Sequence, residues 1–128
     1  MTLTRIRLEL ARMAGFPQGS SAHGYEFVVP LTRDGHIDAA AWHAVKDKCW
    51  VRRFWGQEEE ERGFVRRHGA HGWYLDYRGH DASDDEPFFK LDKHQLVKGG
   101  YVSITEHDHV QRPFKIVAVE SELNEVTT

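Results

Sequence analysis

Alternating apolar and polar positions dominate this chain and predict strands. Leu3–Leu10 places Ile6, Leu8 and Leu10 on one side with Thr4, and Arg5, Arg7 and Glu9 on the other. That is a strand with one wet face. Tyr25–Leu31 repeats the pattern with Tyr25, Phe27, Val29 and Leu31. Pro30 has no N–H to give a ladder, which predicts a strand at or near a sheet edge. Between the two strands, Gly15–Gly24 reads as a loop, being rich in Gly, Ser and Pro.

The period changes once. Asp38 is placed as a helix N-cap, with Ile37 before it and Trp42 four residues after it, the spacing of a hydrophobic staple. A helix is expected over Ala39–Lys48, with Ala41, Trp42, Val45 and Cys49 as its buried stripe. Trp50–Trp55 returns to β-prone sequence. Phe64–His68 and Gly72–Arg78 read as a second hairpin, followed by an acidic loop over Gly79–Glu86.

The strongest strand signal is the last. Gly99-Gly100 supplies a sharp reversal, Tyr101–Glu106 alternates, and Phe114–Val119 is apolar on both faces, as in a strand covered on both sides. These elements predict an α+β, mainly β fold. The expected architecture is a curled antiparallel sheet or small β-barrel of about six to seven strands, with one covering helix near residues 38–48. Residues 1–128 form a single domain, with a loose polar tail from about residue 121.

Composition narrows the function classes. Apolar residues make up 40% and charged residues 29%, as in a folded globule, and the net charge of −3 disfavours a globally basic nucleic-acid binder. A lone cysteine, Cys49, forbids an internal disulfide, and no signal peptide or 18-residue apolar run is evident. A cytoplasmic location and no membrane association are expected.

Two clusters are candidates for chemistry. Nine histidines include His68, His71 and His80 beside Asp81, Asp84, Asp85 and Glu86, and His107 and His109 in a later turn. Imidazole with carboxylate can hold zinc or a similar divalent ion, but no spacing here fixes a geometry. The run Trp50, Arg52, Arg53 and Trp55, with Arg66 and Arg67, could stack bases and meet phosphates of a single strand. The rival reading is core aromatics whose arginines reach the acids at Glu58–Glu61. Ser20, Ser21 and His23 share a loop, yet no Gly-x-Ser-x-Gly elbow, phosphate loop or dinucleotide fingerprint is present. The expectation is a non-enzymatic binding or interaction domain, its partner another protein or a second copy, because unpaired strand edges are templates for pairing. Metal binding and single-stranded nucleic-acid binding are the alternatives.

Overall fold

The computed structural model describes residues 3–67, 72–77, 86–88 (main chain only), 95–106 and 108–121. The strands are β1 (Leu3–Leu10), β2 (Ser20–Pro30), β3 (Trp50–Trp55), β4 (Glu61–Arg67), β5 (Trp73–Tyr77), β6 (Glu86–Phe88), β7 (Tyr101–Thr105) and β8 (Gln111–Ser121). They form one antiparallel sheet in the order β6-β5-β4-β3-β2-β1-β8-β7. The sheet curls into a half-barrel, and its two edges, β6 and β7, approach each other without pairing.

Alternation builds the interior. Ile6, Leu8, Tyr25, Phe27, Val29, Val51, Val65, Leu75, Val102, Ile104, Phe114 and Ile116 are buried in one continuous cluster. Their partners in the pattern, such as Arg5, Arg7, Glu9 and Glu26, face outward. Curling brings neighbouring backbones close at Gly24 and Gly63. A Cβ on either would sit 1.9 Å from a carbonyl oxygen of the next strand, that of Leu8 or Asp76. Glycine permits this approach inside a strand.

The helix α1 (Ala39–Val45) continues as a single 3-10 turn over Lys46–Lys48. Asp38 caps it by accepting from the Ala41 N–H at 3.1 Å. Trp42 is the buried residue of the helix and stands edge-on to Trp73, with ring centroids 5.2 Å apart. Its indole N–H donates to the Val65 carbonyl at 3.1 Å. The helix therefore covers the mouth of the half-barrel at the Pro30 end of β2.

Four expectations are corrected. β2 begins at Ser20, so the predicted loop shortens by half a strand; Gly24 marks a close approach inside it. Pro30 is not at a sheet edge, since β2 lies between β1 and β3. It is tolerated because it forms the last pair of the β1 ladder, and the β3 ladder has already ended at Phe27. β8 is internal to the sheet but covered on one face only: Lys115 is exposed, and Val117, Ala118 and Val119 are half-buried. Lastly, three residues of the predicted acidic loop and the stretch after it pair as the edge strand β6. Among the described residues no helix is long and apolar enough to cross a membrane.

Candidate functional site

At the mouth opposite the helix, the interior turns polar. Arg53 lies on the inner face of β3, across from Tyr25 on β2 and Glu61 on β4. Glu106, 2% exposed, follows the end of β7. Its carboxylate accepts from the Tyr25 hydroxyl at 2.5 Å, from Arg53 Nε at 2.9 Å and from Arg112 Nη1 at 2.7 Å. Arg112 also meets Asp108 at 3.0 Å, and Arg53 Nη1 lies 3.5 Å from Glu61. Burial alone would lower the Arg53 pKa. The hydrogen bond to Glu106 and the charge there more than offset it, so Arg53 is held firmly cationic. Arg112 is raised in the same way, its bonds to Asp108 and Glu106 outweighing desolvation.

Aromatic rings extend this centre toward the surface. Arg53 stacks over the Trp55 ring at 4.2 Å and Arg112 at 5.5 Å. His23, the cross-strand neighbour of Trp55, stands edge-on to it at 4.6 Å and to Phe16 at 5.0 Å. Beyond His23 lies Ser20, whose Oγ is 2.6 Å from His23 Nδ1. A row of contacts thus runs from Glu106 through Arg53, Trp55 and His23 to Ser20.

The predicted Arg/Trp set does not gather on one face. Trp50, Arg52 and Arg66 point outward and Arg53 and Trp55 inward, whereas Arg67, in step with the inner face, is exposed at the end of β4. The alternation of β3 and β4 divides them. Arg52 is engaged by Glu26 at 3.0 Å and Glu60 at 2.8 Å, Arg66 donates to the Lys46 carbonyl, and Arg67 lies over Trp73. Arginines reaching Glu60 and Glu61 match the rival sequence reading. The principal partner of Arg53, Glu106, was not visible in the sequence because it lies 53 residues away.

Of the proposed zinc ligands, His109 is exposed in the turn after β7 with a positive φ of 65°. His68, His71, His80 and His107 lie outside the described residues. Among the described residues, no group of three or more His, Cys, Asp or Glu is placed to hold a metal ion. Cys49 is fully buried, and burial pushes its thiol up to about 12.

The exposed apolar side chains lie elsewhere. Among the described residues the exposed large hydrophobics are Val97, Tyr101 and Val110, at 45%, 60% and 42%. All three flank β7. No family model, curated protein or solved structure matches this chain.

Proposed function

We propose that this chain is a binding domain that docks a second copy of itself through the outward face of the β7–β8 ribbon. What supports this reading is Tyr101, the most exposed large apolar side chain among the described residues, standing on that face. The outward pairs of the ribbon are Tyr101–Lys115, Ser103–Pro113 and Thr105–Gln111, and Lys115 is the charged residue among these six. Two-fold pairing makes such a patch its own complement. The β7 edge faces the approaching β6, so the outward face, rather than an added strand, is the surface offered. Six outward residues are few beside the roughly 20–30 a side of a standard interface, so weak, concentration-dependent association is expected. Sedimentation over a concentration series tests it, and a strictly monomeric chain would overturn it.

A further inference from the structure

A cleft of about 890 Å³ opens where the start of β2 crosses the end of β1, with Ser20, Arg12 and Lys115 in its walls and Tyr101 beside them. Ser20 is set up as a nucleophile would be. In the Nε2-protonated tautomer of His23, the Ser20 hydroxyl donates to Nδ1 across 2.6 Å. The Ala22 N–H points at the same oxygen from 3.2 Å, which favours negative charge developing there. His23 is oriented by its edge-on contacts with Phe16 and Trp55, and Trp55 is fixed beneath Arg53.

The cleft carries excess positive charge. Its acid, Glu9, is already taken by Arg7 at 2.8 Å. Arg12 gives its Nε–H to the Pro17 carbonyl. Neither Arg12 nor Lys115 has a carboxylate within 4.0 Å among the described residues.

We infer that Ser20 and His23 form a nucleophile–base pair acting on carboxylic esters that carry a second, negatively charged group. Ser20 Oγ bonds to the ester carbonyl carbon while its proton passes to His23 Nδ1. The carbon–oxygen bond to the alcohol breaks, and the departing oxygen takes that proton. Water, deprotonated by His23 in turn, then bonds to the acyl carbon; the bond to Ser20 Oγ breaks, Oγ takes the proton back from His23, and the acid leaves. Arg12 and Lys115 hold the anionic group. Phe16 and Trp55 are positioning residues.

The test uses the full chain and a fluorophosphonate probe, read by intact mass and peptide mapping. One adduct on Ser20 is expected. It is absent in Ser20→Ala, retained in Ser21→Ala and formed about 100-fold more slowly in His23→Gln. With nitrophenyl esters, the half-ester of succinate should turn over faster than the acetate. Docking through Tyr101 and Lys115 would cover this cleft, so the reactions are run at a chain concentration at which sedimentation shows the monomer. No adduct, an adduct surviving Ser20→Ala, or an unchanged rate in His23→Gln would overturn the inference and leave the hydrogen bond as a brace for the turn.

Discussion

Arg53 and Glu106 stand on β3 and at the end of β7, with three strands between them in the sheet, yet Arg53 Nε lies 2.9 Å from the Glu106 carboxylate. The bond therefore crosses the concave side of the half-barrel. It ties the β7–β8 turn to the middle of the sheet, where no backbone ladder reaches.

Removing one partner should be costly, because the other remains buried and charged. Glu106→Gln and Arg53→Met are each expected to lose about 3–5 kcal/mol in urea unfolding. Arg53→Met with Glu106→Gln should lose less than the sum of the single changes. Tyr25→Phe, which removes one donor to the same carboxylate, should lose about 1–2 kcal/mol.

Cys49 gives a pH signature. Burial raises its thiol from an ordinary 9.0 to about 12, so the folded chain holds a proton that the unfolded chain releases. The stability it protects is fully present below pH 9 and falls as pH rises from 9 toward 12. The slope should be about 1.4 kcal/mol per pH unit. Cys49→Ala should remove this component from the alkaline limb of a stability–pH curve. A thiol reagent at pH 8 should label Cys49 only after denaturant is added.

Curling depends on two close approaches. Gly24→Ala or Gly63→Ala would press a methyl group against a neighbouring carbonyl, at a position where the strands cannot separate without breaking pairs. Each is expected to cost about 3 kcal/mol or more, seen as a large fall in thermal midpoint. Gly72→Ala, with none of the described residues within 4 Å of the added methyl but a φ of 88°, should cost about 1 kcal/mol.

The two stacked tryptophans should respond differently. The Trp42 indole N–H is satisfied by Val65, whereas the Trp73 indole N–H is buried with no partner among the described residues. Trp42→Phe strands a buried carbonyl, while Trp73→Phe removes an unpaired donor. Trp42→Phe should therefore be the more destabilising in chemical unfolding, by about 1–2 kcal/mol.

Local pattern carried much of the fold. Period 2 in Ile6, Leu8 and Leu10 and in Val102 and Ile104 identifies interior faces correctly, and Asp38 marks the helix start. Where long-range pairing decides, local signals mislead. Pro30 suggests an edge, yet it sits where the β3 ladder has already stopped. Gly24 suggests a loop, yet it belongs to a strand whose neighbour comes too close for a side chain. The polar centre was invisible for the same reason. Tyr25, Arg53, Glu106 and Arg112 are ordinary residues in their local settings, and only curling brings them together. Ser20 and His23 are close in sequence, but their pairing required β2 to begin early enough to bring both onto one strand.

The most direct measurement is sedimentation velocity of the full chain from low to high micromolar concentration, beside Tyr101→Glu. Tyr101 is 60% exposed, so the variant should fold normally. The unchanged chain is expected to shift toward dimer as concentration rises, and Tyr101→Glu to remain monomeric throughout. A monomeric unchanged chain at the highest concentration, or a dimer indifferent to Tyr101→Glu, would contradict docking through the β7–β8 ribbon.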